Sequence, residues 1–136
     1  MKSWDNLKAL GSKVTHYKFT TPTLADLETF ENPNMGNDYE IVLETDEFTS
    51  LCPKTRAPDY GKIHIRYTPD QKCIETKSLK LYLFSYRNHG SFMEAIVNKI
   101  IHDLGVVCEP KKMTVIGTFK SRGGIEVSVK ATITKD

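Results

Sequence analysis

A chain of 136 residues, 39% hydrophobic and 26% charged, fits one soluble globular domain whose core needs no covalent staples. Its formal net charge of +2 is too small to argue for nucleic acid or a membrane surface as partner. No apolar run is long enough to span a bilayer, and Met1-Lys2-Ser3-Trp4-Asp5-Asn6 lacks the apolar segment of a secretory signal, so a cytoplasmic protein is expected.

Residues 1–38 are polar and weakly patterned, with Pro22, Pro33 and Gly36 as breakers and Leu24, Leu27 and Phe30 as one short apolar stripe. They read as an arm lying on a core domain of residues 39–136. Tyr39 to Glu44 is expected to be a strand, from its Ile41-Val42-Leu43 run. Phe48 to Asp59 then reads as a shaped loop, because Pro53 and Pro58 each remove a backbone donor and restrict the residue before them. Ile63, Ile65 and Tyr67 alternate with His64 and Arg66, which predicts a half-buried strand over Lys62 to Tyr67, closed by Thr68-Pro69-Asp70.

From Glu75 the period becomes helical. Leu79, Tyr82, Leu83 and Tyr86 predict a helix from about Thr76 to Tyr86, which Asn88-His89-Gly90 breaks. Ser91-Phe92-Met93-Glu94 has the capping-box pattern, followed by an apolar face on Ile96, Val97, Ile100, Ile101 and Leu104, with Gly105 as the expected stop. Met113 to Phe119 and Ile125 to Ile133 are expected strands joined through Arg122-Gly123-Gly124. Strand pairs on either side of a helical pair mean an α+β fold with an antiparallel four-stranded sheet. Two helices cover only one face of such a sheet, so its edges and other face call for oligomerisation.

Cys52, Cys73 and Cys108 contain no close pair and read as reduced thiols. No Cys-x-x-Cys or His-x-x-x-His spacing closes a tetrahedral site, so no metal is expected, and no G-x-G-x-x-G marks a Rossmann nucleotide site. Cys52 is either a nucleophile or an ordinary loop cysteine; the first needs a thiol pKa lowered by cations such as Lys54 and Arg56 or by a helix start. Asp59 is either a general acid or a turn aspartate, and the first requires burial. Lys77 and Lys80 project from one helix face, where with Arg122 they form either an anion site or solvated surface. Glu75 at a helix start and Glu94 in a capping box both have structural explanations.

Glu47-Phe48-Thr49-Ser50-Leu51-Cys52-Pro53-Lys54-Thr55, followed by Pro58-Asp59, resembles the nucleophile loop of the 7-cyano-7-deazaguanine reductases, the nitrile reductases of queuosine biosynthesis. Glu75-Thr76-Lys77-Ser78-Leu79-Lys80-Leu81-Tyr82 resembles that family's signature; Tyr86-Arg87-Asn88-His89-Gly90, Phe92-x-Glu94 and Ser121-Arg122-Gly123-Gly124-Ile125 follow in order. The similarity runs over residues 39 to 130, and the chain has the length of the short, single-module form. The resemblance implies a tunnelling fold assembled into homo-oligomers, paired pentameric rings, with active sites between subunits. It implies Cys52 as nucleophile and Asp59 as proton donor. Glu94, Glu75, Thr76 and Phe92 are implied substrate contacts, and Lys77, Lys80 and Arg122 would hold NADPH phosphates. The implied substrate is a small deazapurine nitrile, with no direct nucleic-acid partner and no membrane.

Two substitutions depart from the family's pattern. Thr76 replaces a usual serine and keeps the hydroxyl, whereas Met93 stands where many members carry a histidine thought to assist Asp59. Water, substrate or another group such as His64 would then have to serve. Ile96 occupies the position of a second, protective cysteine of some members. The competing expectations are an amidinotransferase relative that adds ammonia to the same nitrile, and a non-catalytic deazapurine-binding or thiol-redox module. Intact Lys77, Lys80 and Arg122 argue against the first, because ammonia addition needs no dinucleotide; Met93 is the feature that favours the second.

Overall fold

Period-two alternation builds the main sheet. The computed structural model describes residues 6–8 and 21–135, so part of the expected arm, residues 1–5 and 9–20, lies outside the described residues. β2 (Ile41–Leu51), β3 (Pro58–Thr68), β5 (Lys112–Arg122) and β6 (Ile125–Thr134) form one antiparallel sheet in the order β2-β3-β5-β6. α1 (Thr76–Phe84) and α2 (Met93–Cys108) lie between β3 and β5 in the chain and cover one face. Ile63, Ile65, Met113 and Val115 on that face are buried against Val97, Ile100 and Leu104 of α2. The fold is the expected α+β arrangement of strand pair, helix pair, strand pair.

Several boundaries differ from the sequence expectation. The first long strand does not stop at Glu44 but continues to Leu51, and β3 begins at Pro58, so the loop around Cys52 shrinks to residues 52–57. A bulge makes this possible: Thr45 pairs with Ile63 and Phe48 with Gly61, which leaves one extra residue on β2. The side-chain period slips there, so Phe48 and Ser50 reach the buried face that Leu43 and Thr45 occupied before it. A short local run such as Ile41-Val42-Leu43 carries no sign of a strand that changes face midway.

Four further differences concern the helices and the arm. α1 ends at Phe84 rather than Tyr86, because Ser85 to His89 wind into successive turns, with the Tyr86 N–H on Leu83 O and the His89 N–H on Tyr86 O. The capping box does not form: Phe92 is the N-cap of α2, and no side chain caps it. Gly105 does not stop α2. The helix runs through it to Cys108 and ends at Glu109, in the left-handed region with φ +51°, whose N–H returns to Gly105 O. Gly105 serves close approach instead, since a Cβ there would meet Ile133 Cδ1 of β6 at 2.7 Å. Part of the arm is integral to the domain: Leu27 is buried, and β1 (Thr29–Glu31) pairs with β4 (Lys72–Ile74) in a second small sheet that the sequence reading missed.

A buried polar bridge locks α1 to α2. The Tyr82 hydroxyl donates to Asp103 Oδ2 at 2.6 Å and shares a hydrogen with the Tyr86 hydroxyl at 2.8 Å, while Lys99 reaches the same carboxylate at 3.1 Å. Burial holds both phenols protonated. The opposite sheet face is polar, with Lys62, Arg66 and the His64–Glu44 pair (2.7 Å) on it. Among the described residues, the outer edges of β2 and β6 have no strand beside them, and no helix is long and apolar enough to cross a membrane.

Candidate active site

Cys52 follows the last residue of β2 and opens a six-residue connection to β3. The connection is closed on itself: the Cys52 N–H donates to Ala57 O at 2.8 Å, and the Arg56 N–H to Cys52 O at 3.0 Å. Arg56 takes φ +63° to turn the chain back, a conformation that L residues seldom adopt. The backbone N–H groups of Lys54 and Thr55 then point at the Cys52 sulfur, together with the Thr55 hydroxyl. That hydroxyl is the largest influence on the thiol, followed by the two N–H groups and, beyond them, Arg122. Together they lower the Cys52 pKa to about 6, against partial burial, which acts the other way. The expected agents, the charges of Lys54 and Arg56, are not the cause. A turn that aims its own donors at the sulfur does the work, and the only sequence trace of it is a threonine three residues after the cysteine.

Asp59, the second residue of β3, is buried, with its side chain 6% exposed. Its Oδ1 accepts from Arg122 Nη2 at 2.7 Å. Arg122 reaches it because β5 carries a bulge of its own: Phe119 pairs with Val127 but Arg122 with Ile125, again one extra residue. Two bulges at one end of the sheet thus bring Cys52, Asp59 and Arg122 together.

The start of α2 is tied to the same place. The Leu51 N–H donates to His89 O and the Ser91 N–H to Leu51 O, both at 3.1 Å, so residues 89–91 run beside the strand that delivers Cys52. Phe92, 60% exposed, and Glu94 in the first turn of α2 follow directly. Met93 between them packs partly buried against the core, and Ile96 is fully within it. His64 faces the other side of the sheet on Glu44, away from Asp59.

Glu75, Thr76, Lys77 and Lys80 lie elsewhere in the subunit. Ile74, just before Glu75, donates its N–H to the Tyr67 hydroxyl near the far end of β3, roughly 26 Å along the strand from Asp59. Glu75 is the N-cap of α1; its two carboxylate oxygens accept from Ser78 N–H at 2.7 Å and Lys77 N–H at 2.9 Å. Thr76 and Lys80 line a cleft of about 660 Å³ between α1 and β2, with Leu79, Leu83 and Arg87 on the helix side. Cys52 and Asp59 do not line it. Within one chain the structure therefore joins Cys52, Asp59 and Arg122, with residues 89–91, just before Phe92 and Glu94, running beside Leu51, and none of Cys52, Asp59 and Arg122 lines the α1 cleft.

An α+β protein with an activated cysteine beside a buried carboxylate is the class that fold and site define. The family described as QueF-like protein matches residues 58–136. The NADPH-dependent 7-cyano-7-deazaguanine reductase of Helicobacter pylori strain P12 is 57% identical over 123 residues, covering 90% of this chain and 81% of that protein. The enzyme of the same name from Streptococcus thermophilus is 52% identical over 123 residues, covering 90% of this chain and 74% of that one. The chain belongs to the 7-cyano-7-deazaguanine reductase family. In fold it matches the crystal structure of the apo archaeosine synthase QueF-Like, with a TM-score of 0.64 at 22% identity over 68% of this chain and 91% of that one; the fold is the tunnelling fold.

Proposed function

We propose that this chain carries out the reaction of its reductase relatives, converting the nitrile of 7-cyano-7-deazaguanine to the aminomethyl group at the expense of NADPH, a step of queuosine biosynthesis. The observation that carries the reading is the Cys52 thiol with its pKa lowered to about 6, beside buried Asp59. A nitrile carbon is a weak electrophile, and direct hydride addition would build negative charge on nitrogen. Attack by the Cys52 thiolate forms the S–C bond and moves one π pair of the nitrile to nitrogen. Asp59 gives its proton to that nitrogen and keeps the electron pair as carboxylate. The thioimidate so formed is a far better hydride acceptor, so one hard step becomes two easier ones.

Phe92, exposed at the mouth of α2, supplies a flat apolar wall for the deazapurine ring. Glu94 accepts from the adjacent N–H donors of its amino-pyrimidinone edge, and Glu75 and Thr76 enclose it from a neighbouring subunit. The α1 cleft fits a dinucleotide by its chemistry: Lys80 and Arg87 suit phosphates, and Leu79 and Leu83 offer apolar walls for rings. Lys77, Lys80 and Arg122 hold the phosphates, Arg122 and the α1 lysines coming from different subunits. When bound, NADPH supplies two hydrides to the substrate carbon, one from each of two successive molecules.

The open edges of β2 and β6 and the separation of α1 from Cys52 support a homo-oligomer, paired pentameric rings, with each site between subunits. Free Cys52, Cys73 and Cys108 support a reducing compartment, the cytoplasm. The test is mass spectrometry of protein incubated with the nitrile alone: the wild type gains the mass of the substrate on Cys52. Cys52→Ala gains none and has no reductase activity; retained turnover would refute the thioimidate.

A further inference from the structure

Among the described residues, Ser50 Oγ is the one buried side-chain oxygen or nitrogen without a hydrogen-bond partner. The side chain is fully buried, at 0% exposure, and the strand gives it no reason to be polar. Its place is specific. Ser50 lies two residues before Cys52 in β2 and directly opposite Asp59 in β3. Residues opposite each other on an antiparallel pair share a face with Cβ atoms about 4.5–5.5 Å apart, so a serine hydroxyl reaches an aspartate oxygen by side-chain rotation alone. Arg122 engages Asp59 through Oδ1, and the hydroxyl makes no bond to the carboxylate in this state.

We propose that Ser50 is a positioning residue for Asp59: its hydroxyl donates to the carboxylate left on Asp59 once the proton has passed to the nitrile nitrogen. This rests on the reading of Asp59 as proton donor and goes beyond it by naming the group that takes the developing charge. In the step, the thiolate loses its negative charge as the S–C bond forms, and Asp59 acquires one as it gives up its proton. Arg122 already donates to Oδ1 of this buried carboxylate from a half-exposed position, and Ser50 is the buried donor placed across the strand pair to supply a second hydrogen bond. Met93 has no proton to share and His64 is on the other face of the sheet, so Ser50 stands where neither of them reaches.

The test is Ser50→Ala. The rate of adduct formation on Cys52 and kcat are expected to fall roughly ten- to a hundredfold, the worth of a hydrogen bond to a charged group. KM for the nitrile, the pH midpoint of Cys52 alkylation and the thermal midpoint are expected to hold, or the thermal midpoint to rise, because the substitution removes an unpartnered hydroxyl. In an Asp59→Asn background, Ser50→Ala should slow adduct formation no further. Unchanged rates in Ser50→Ala would overturn the proposal. So would a slow variant that also melts earlier, fails to fold or shifts the Cys52 pH midpoint, since that is a structural defect. An undiminished additional loss in the Asp59→Asn background would also overturn it while leaving Asp59 itself in place; a wild-type rate in Asp59→Asn alone would remove the reading beneath it.

Discussion

Cys52 owes its reactivity to neighbours three residues away or fewer, and to one arginine from across the sheet. The Thr55 hydroxyl leads, so its removal is the sharpest perturbation. A thiol whose pKa is lowered to about 6 is mostly thiolate at neutral pH and protonated below that value. Alkylation by iodoacetamide should therefore rise through a midpoint near pH 6, against roughly 8.5 for an ordinary cysteine. Thr55→Ala should move the midpoint upward, and Thr55→Ser should restore it; an unmoved midpoint would mean that the backbone donors suffice. Cys73 and Cys108 serve as internal controls, since burial raises both, Cys108 to about 12. At this scale the sequence was legible as residue types but not as directions. The proposed nucleophile and acid stand out in their motif, whereas the supporters of the thiolate beyond Thr55 are backbone N–H groups, which leave no residue-type signature. Ser50 was hidden for a related reason: an unpartnered hydroxyl is a property of the packed state.

Two bulges shape the elements around the site, one in β2 between Thr45 and Phe48 and one in β5 between Phe119 and Arg122. Each shifts the side-chain period by one, which turns Ser50 inward and brings Arg122 onto Asp59. The strict alternation of Ile63, Ile65 and Tyr67 made β3 readable, and the apolar spacing of α2 made that helix readable. The bulges break such patterns, so β2 read as a short strand followed by a loop. Expected caps failed for a different reason: Ser91 is drawn into backbone pairing with Leu51, and Gly105 is retained within α2 for contact with β6. Close strand approach also fixes Gly61, where a Cβ would meet Thr118 O at 2.8 Å and Phe119 Cδ1 at 2.9 Å. Gly61→Ala should destabilise the fold by about 1–3 kcal/mol through overpacking, read by urea denaturation. It should also lower activity at temperatures where the variant remains folded, because β3 carries Asp59 two residues away. A variant with wild-type stability would show that β3 and β5 separate freely here.

At the scale of the molecule, the described sheet has two unpaired edges, and Cys52 and Asp59 do not line the α1 cleft that holds Thr76 and Lys80. In the proposed assembly one subunit would offer Cys52 and Asp59 to one interface and Thr76, Lys77 and Lys80 to another. Mixing distinguishes this arrangement from a site within one chain. Cys52→Ala subunits and Lys77→Ala/Lys80→Ala subunits, unfolded together and reassembled, should regain activity that neither has alone, because some interfaces pair two intact halves. No recovery would place all these residues in one subunit's site. The architecture was legible from the order of strands and helices, and the uncovered edges are what the expectation of partner subunits rests on. A site between subunits was expected only from the family resemblance, since nothing in a linear motif by itself says which subunit would supply each half.

The most direct measurement of the central claim is the oxidation of NADPH by the purified protein, followed in the near ultraviolet with and without 7-cyano-7-deazaguanine. Oxidation that depends on the nitrile and consumes two NADPH per nitrile is the predicted result. Folded protein that forms the Cys52 adduct yet oxidises no NADPH would contradict reduction as its reaction.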